Sequence, residues 1–170
     1  MAGISLNGKI TDEHGDFAKY SSDEDKEWLA QKIEESDVLV VGKKTYEAHL
    51  KNRQRKKPLI IFTRSIKGLK IDEEKNTEAY FFHDKKEDLL NLLDLLQYDI
   101  VTILGGAEIY HWFLEQKLVT DIHLTVEPVI FSKGKPLLTG NFLNEQKSWL
   151  LKESKTLNDQ GTLLLHYQTI

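Results

Sequence analysis

With 170 residues and 40% hydrophobic composition, the chain has the size of one ordinary domain, so we expect a single domain over 1–170. The lack of cysteine excludes disulfides, thiolate metal sites and a cysteine nucleophile, and the scattered histidines show no metal-ligand spacing. A net charge of -4 disfavours a nucleic-acid-binding surface, and no apolar run approaches the ~20 residues of a membrane span. The first residues also lack the pattern of a signal peptide. We therefore expect a soluble, cytoplasmic protein that binds no metal.

Apolar runs of strand length alternate with segments of helical periodicity, which is typical of an α/β domain with a mostly parallel central sheet. Strands are predicted over 4–10 (broken at Asn7-Gly8), 38–41, 59–62, 79–82, 99–104, 121–126, 149–157 and 162–167. Helices are predicted over 22–35, 45–50, 86–97 and 107–116. We expect the leucines of the third helix to be largely buried and the loop over 11–20 to be mobile. The last two strands flank 158–161, whose composition is typical of a hairpin turn.

Three predicted strands end in glycine, hydroxyl or cationic residues. Gly105-Gly106 precedes a helix start, where bare backbone and free N–H groups favour an anion such as pyrophosphate. Gly42 leads into Lys43, Lys44 and Thr45, and the next strand ends at Thr63-Arg64-Ser65. Each segment has an alternative explanation as cap or turn chemistry. Because ligands of open α/β sheets bind beyond the carboxyl ends of the strands, the three together predict a phosphate-binding edge.

Five segments in order resemble dihydrofolate reductases and the reductase domain of the bacterial bifunctional riboflavin-biosynthesis protein. They are S-L-N-G-K-I at 5–10, V-G-K-K-T-Y-E at 41–47, F-T-R-S at 62–65, L-G-G-A-E-I-Y at 104–110 and L-T-V-E-P at 124–128. The resemblance covers nearly the whole chain. It implies a three-layer α/β/α fold, with a mixed, mostly parallel sheet that ends in an antiparallel hairpin. It also implies an NADPH-dependent reductase.

The resemblance assigns roles residue by residue. The cofactor-binding residues would be Gly42, Lys43, Thr45, Thr63, Arg64, Ser65, Leu104, Gly105, Gly106, Ala107, Glu108 and Ile109. Ser5, Leu6 and Asn7 would border the nicotinamide and substrate, and Tyr110 would either join them or be a buried tyrosine with a satisfied hydroxyl. The excess of cations between 43 and 67 independently favours NADPH over NADH, since the extra phosphate needs cationic partners.

Asp25 is the candidate proton donor, because it resembles the aspartate that holds the pterin at the start of the dihydrofolate reductase helix. The alternative is that Asp25 is the carboxylate of a capping box opened by Ser22, and that water supplies the proton.

Two departures bear on the substrate. Asn7 stands where the family often has aspartate, and Leu104 stands where the riboflavin-pathway reductases place a substrate-binding glutamate. We therefore expect a pterin or folate substrate somewhat more than the ribosylaminopyrimidine of riboflavin synthesis.

The rival from another class is a non-catalytic module that binds polyanions or nucleic acid through the basic run 51–57, although such runs usually only solvate a loop. The family resemblance also implies a homodimer, which exposed Phe or Trp on the terminal strands would support.

Overall fold

The computed structural model describes residues 1–51, 56–66, 70–72, 79–82, 85–139 and 148–170, with the backbone alone at 70–72 and 81. The described chain forms two compact units. Unit 1 comprises Met1–Ala30 and Tyr110–Ile170, and unit 2 comprises Gln31–Ile109. The expectation of a single domain over 1–170 stays a prediction.

Unit 2 contains a five-stranded sheet in the order β4-β5-β3-β2-β6. The strands are β2 (Val38–Gly42), β3 (Leu59–Phe62), β4 (Lys70–Asp72), β5 (Ala79–Phe82) and β6 (Val101–Gly105). All neighbours run parallel except β4, which is antiparallel to β5. β2 and β3 are continuous apolar runs that are buried along almost their whole length, as expected for parallel strands covered on both faces.

The helices begin and end close to the predicted positions. They are α1 (Asp23–Glu35), α2 (Lys43–Thr45, continued by a π-helical turn at Tyr46–Leu50), α3 (Lys86–Leu95) and α4 (Ala107–Glu115). Three acids occupy the first turn of α1 and Lys32 the last, so the charges at both ends complement the helix dipole.

Unit 1 contains a four-stranded sheet in the order β1-β7-β9-β8. The strands are β1 (Ala2–Ser5), β7 (Asp121–Glu127), β8 (Trp149–Thr156) and β9 (Leu163–Thr169). β1 is parallel to β7, and the other pairs are antiparallel. The predicted β8–β9 hairpin is confirmed. Asn158 closes its turn by accepting from the Thr162 N–H at 3.1 Å, and Gly161 supplies the positive φ of 92°.

Three local predictions are corrected. The first strand covers Ala2–Ser5 rather than 4–10, because Gly8, at a φ of 73°, turns the chain and donates its N–H to the Ser5 carbonyl at 2.9 Å. The short strand β4 lies between the predicted strands 59–62 and 79–82, where the sequence predicts no helix or strand. In α3, Leu89 and Leu92 are buried, but Leu90 and Leu95 face solvent, so only part of its leucine content packs inside.

The loop over 11–20 contains no helix or strand and is organised around Asp12. One oxygen of this buried carboxylate accepts the N–H groups of His14 and Asp16 at 2.9 and 3.0 Å, and the other lies 2.9 Å from Lys19 Nζ. The hydrogen bond from Lys19 holds the pKa of Asp12 well below its usual range. The loop is therefore tied together by its own polar groups, and its mobility stays a prediction.

Two expected partners can be compared with the surface. The exposed apolar side chains of the terminal hairpin are Leu150, Leu151 and Leu163 rather than Phe or Trp, and the homodimer stays a prediction. Among the described residues, no helix combines the length and apolar character that crossing a bilayer requires.

Candidate functional sites: the strand-end edge of unit 2 and the helix α1 turn of unit 1

The carboxyl ends of β3, β2 and β6 lie side by side in unit 2. Gly42 pairs with Phe62 in the register of β2 and β3, and Val41 pairs with Gly105 in that of β2 and β6. The residues that follow these strands therefore meet at one edge of the sheet. We call the residues 42–45, 63–65 and 105–109 the strand-end edge. The structure thus brings together the three segments in which the sequence predicts phosphate-binding residues.

Glycine allows close packing at the strand-end edge. A Cβ added to Gly42 would lie 3.1 Å from Ile109 Cγ1, and one added to Gly106 would lie 3.5 Å from Thr45 Oγ1. Gly105 has a φ of 97°, which disfavours any L side chain, and the Gly105-Gly106 peptide is cis. Gly106, which is half-buried, thus carries no side chain directly before the first N–H groups of α4.

Hydroxyl groups and one cation connect the ends of β2 and β3. Lys43 Nζ donates to Ser65 Oγ at 3.1 Å, and the hydroxyls of Ser65 and Thr63 lie 2.7 Å apart. The Ser65 N–H also donates to Thr63 Oγ1 at 3.2 Å. Thr63 is buried, so its hydroxyl is held in place and orients that of Ser65. This arrangement places an ammonium beside two hydroxyls, a combination that suits a phosphate group.

The remaining charge contacts of the edge are long and exposed. Arg64 lies 3.8 Å from Glu108, and their side chains are 85% and 70% exposed. Lys43 lies 3.9 Å from Glu47. Exposed pairs of this kind contribute little to stability, so either cation can exchange its carboxylate for a bound anion at small cost.

Leu104 differs from its neighbours at the edge. Its side chain packs against the buried apolar cluster of unit 2, which includes Leu39, Val41 and Ile61. It contributes an apolar contact and no carboxylate, as its identity predicts.

In unit 1, Asp25 is buried in the first turn of α1, with 6% of its surface exposed. Its carboxylate accepts a short hydrogen bond from Ser21 Oγ. Ser22 Oγ accepts the Asp25 N–H at 3.2 Å, which is half of the predicted capping box. In the other half of the box the Ser22 N–H would donate to the Asp25 carboxylate, but in this structure it donates to another residue.

That residue is Glu127, at the end of β7. The side chain is 2% exposed, accepts the Ser22 N–H at 2.8 Å through Oε1, and accepts the Thr162 hydroxyl at 2.7 Å through Oε2. Sequence reasoning includes Glu127 only as a letter of the L-T-V-E-P segment and gives it no role. Its alternation with Thr125 along β7, both facing inward, is the signal that could have identified it as a buried carboxylate.

The predicted substrate-side residues of unit 1 are mostly engaged within the protein. Ser5 is wholly buried, and its hydroxyl donates to Asn7 Oδ1 at 2.8 Å. The Asn7 amide donates to the Phe131 carbonyl at 2.8 Å, whereas Leu6 is exposed. The hydroxyl of Tyr110 donates to the Met1 carbonyl at 2.5 Å, and burial raises the pKa of Tyr110. These hydrogen bonds engage the polar groups of Ser5, Asn7 and Tyr110 within the protein. That these residues border the substrate stays a prediction.

Two other expectations concern charge and metal. In the basic run, residues 52–55 lie outside the described residues, and Lys56 pairs with Glu34 at 2.9 Å. In the described part of the chain, no three His, Asp or Glu side chains are grouped in a way that could hold a metal ion.

Comparison with known proteins supports the fold. Residues 1–163 match the family model of the RibD C-terminal domain. A putative riboflavin biosynthesis protein from Shewanella sp. PV-4 superposes with a TM-score of 0.80 at 19% identity, over 98% of this chain and 95% of that one. A pyrimidine reductase-like protein from Corynebacterium diphtheriae gives 0.76 at 18% identity, over 99% and 90%.

A third structure is a longer, bifunctional protein. The diaminohydroxyphosphoribosylaminopyrimidine deaminase/5-amino-6-(5-phosphoribosylamino)uracil reductase of Thermotoga maritima gives a TM-score of 0.74 at 17% identity, over 99% of this chain and 55% of that one. These structures confirm the predicted α/β fold class, with parallel strands in a mixed sheet and an antiparallel hairpin. The match over 1–163 shows that the chain belongs to the RibD C-terminal domain family.

Proposed function

We propose that the chain is an NADPH-dependent oxidoreductase that reduces a ribosylaminopyrimidine, the kind of substrate named for the Thermotoga reductase. The observation that carries this proposal is the strand-end edge, in a chain that matches the family model over 1–163. The sequence alone places a pterin or folate first and the ribosylaminopyrimidine second. The family match and its structural neighbours favour the second reading.

The residues of the strand-end edge fit NADPH. Gly105 and Gly106 carry no side chain before the N-terminus of α4. A pyrophosphate there would accept N–H hydrogen bonds and lie at the positive end of the helix dipole. Lys43, Thr63 and Ser65 form a hydrogen-bonded group that would hold the 2′-phosphate, and Arg64 is exposed beside them. When bound, the cofactor supplies the hydride.

Reduction of a C=N bond also requires a proton on the nitrogen, and Asp25 is the residue that we propose for this step. Its carboxyl group is nearly buried in the first turn of α1 and accepts a hydrogen bond from Ser21 Oγ. A protonated Asp25 would donate to the substrate nitrogen while the hydride reaches the carbon, and water would then restore the proton. The chain's main contribution is to orient the reactants and exclude bulk water.

A screen of NADPH oxidation tests the substrate. We expect turnover with the phosphoribosylaminopyrimidine and little with dihydrofolate or dihydropterins. Turnover restricted to a pterin or folate would restore the reading that Leu104 and Asp25 favour. If NADPH binds but no compound of these classes is reduced, the reductase proposal is wrong.

The role of Asp25 is tested separately. The Asp25→Asn variant should lose turnover but bind NADPH with unchanged affinity, because the cofactor residues belong to the strand-end edge. Unchanged turnover would remove Asp25 from the mechanism and leave water as the proton source.

A further inference from the structure

The N-terminus of α1 carries an incomplete capping box. In such a box the hydroxyl of the first residue accepts an N–H three residues later, and the acid at that later position accepts the N–H of the first. Ser22 and Asp25 have this spacing, and the first hydrogen bond is present at 3.2 Å. The second is replaced, because the Ser22 N–H donates to Glu127 at 2.8 Å. A carboxylate from a strand more than a hundred residues away thus caps the helix.

Hydrogen bonds on several sides hold Glu127 in this position. Its second oxygen accepts the hydroxyl of Thr162, which is wholly buried. Asn158 donates to Thr162 Oγ1 at 3.0 Å and to Glu24 Oε2 at 3.1 Å. The turn between β8 and β9, the end of β7 and the first turn of α1 are therefore joined in one network. Within this network Glu127 and Thr162 are buried, and buried groups that are hydrogen-bonded in this way are held in one arrangement.

The replacement changes what Asp25 can do. In a complete capping box, the Ser22 N–H would donate to the Asp25 carboxylate. In this structure the carboxylate is engaged by the hydroxyl of Ser21, a flexible group that can either donate or accept. The Asp25 carboxyl group can therefore bind another partner without uncapping the helix.

We infer that Glu127 is a positioning residue of the active site, which caps α1 in place of Asp25 and so leaves the Asp25 carboxyl group available to the substrate. The inference rests on the proposed function for the use that the substrate makes of Asp25. The substitution of one cap by the other is independent of any activity.

Amide hydrogen exchange tests the cap directly. In the Asp25→Ala protein, the Ser22 amide should keep the protection that it has in the unaltered protein, since Glu127 is its acceptor. Loss of that protection in Asp25→Ala would overturn the inference. This measurement requires neither a substrate nor a Glu127 variant that folds.

Double variants test whether Asp25 can resume the capping role. Asp25→Ala should lower the melting temperature more in the Glu127→Ala background than in the unaltered protein, because Asp25 is then the remaining acceptor for the Ser22 N–H. Glu127→Gln is the matched control, since its amide oxygen still accepts that N–H while the charge is removed. In this background Asp25→Ala should act as it does in the unaltered protein. Equal shifts in all three backgrounds would contradict the inference.

Kinetics connect the cap to the reaction. Glu127→Ala should lower kcat at least about tenfold, as expected when a proton donor is misplaced, while the KM for NADPH stays the same. Glu127→Gln should recover a large part of the lost kcat. Equal losses in the two variants would show that Glu127 acts through its charge, which contradicts a capping role. If the unaltered protein reduces nothing, the proposed function fails, while the exchange result still decides the cap.

Discussion

Two polar regions of the molecule use similar side chains in opposite ways. The strand-end edge of unit 2 combines hydroxyls with cations whose carboxylate contacts are 3.8 and 3.9 Å long, and Arg64 is 85% exposed. In the network at the start of α1 in unit 1, Glu127 and Thr162 are buried, and both hydrogen bonds of Glu127 measure 2.7 to 2.8 Å. Buried polar groups that are hydrogen-bonded within the protein stabilise the fold. Groups with weak, exposed partners remain able to bind a ligand.

This contrast assigns different consequences to similar substitutions. A change in the α1 network should lower the free energy of unfolding and leave cofactor affinity unchanged. A change in the strand-end edge should mainly weaken cofactor binding.

The largest effect is expected for Thr162→Val. Valine has nearly the shape of threonine but cannot donate, so Glu127 Oε2 would be left buried without its hydrogen bond. The expected loss is about 2 to 3 kcal/mol of unfolding free energy, measured by urea denaturation, with unchanged NADPH affinity. Thr156→Val, at an exposed position of β8, is the control and should cost less than about 0.5 kcal/mol. Equal costs at the two positions would contradict the account of the network.

Thr63→Val should have a smaller effect, mainly on binding. The variant loses the hydroxyl that orients Ser65, and we expect NADPH affinity to fall about tenfold, or about 1.4 kcal/mol. Thr102→Val is a matched control in the same unit, because it removes the acceptor of a 2.7 Å hydrogen bond from Ser36. It should lower stability and leave NADPH affinity unchanged. If Thr102→Val weakens NADPH binding as much as Thr63→Val does, the assignment of cofactor binding to the strand-end edge is contradicted.

The smallest effect concerns Asp12 and pH. Because the pKa of Asp12 is depressed in the folded state, its contribution to stability is present above the unfolded pKa of about 3.9 and is lost as pH falls below that value. Asp12→Asn should therefore be less stable than the unaltered protein at neutral pH, and the difference in urea midpoint should shrink below about pH 4. A difference that does not vary with pH would show that the Lys19 pair contributes no such stability.

Much of the fold could be predicted because its signals are local. β2 and β3 are continuous apolar runs, and α1 has a hydroxyl before its first acids. All three elements can therefore be predicted without reference to distant residues. The three-residue strand β4 is too short to show a periodicity, and it exists through its pairing with β5. The extent of β1 was misjudged because alternation continues past Gly8, where the backbone turns.

The site divides in the same way. The strand-end edge follows from three local strand ends and the rule that parallel strands finish together. The role of Glu127 could not be predicted, since its partners are 35 and 105 positions away in the chain. For the same reason the hydrogen bond from the Asn7 amide was missed, because the Phe131 carbonyl that accepts it is 124 positions distant.

The central claim is that the strand-end edge binds NADPH and recognises its 2′-phosphate. Its most direct test is to titrate the purified protein with NADPH and with NADH and to monitor binding by energy transfer from tryptophan. The titrations compare the unaltered protein with Lys43→Ala and with the control Lys56→Ala. We predict tighter binding of NADPH than of NADH, with the preference reduced about tenfold in Lys43→Ala and retained in Lys56→Ala. Equal affinity of the unaltered protein for the two cofactors, or no binding of either, would contradict the claim.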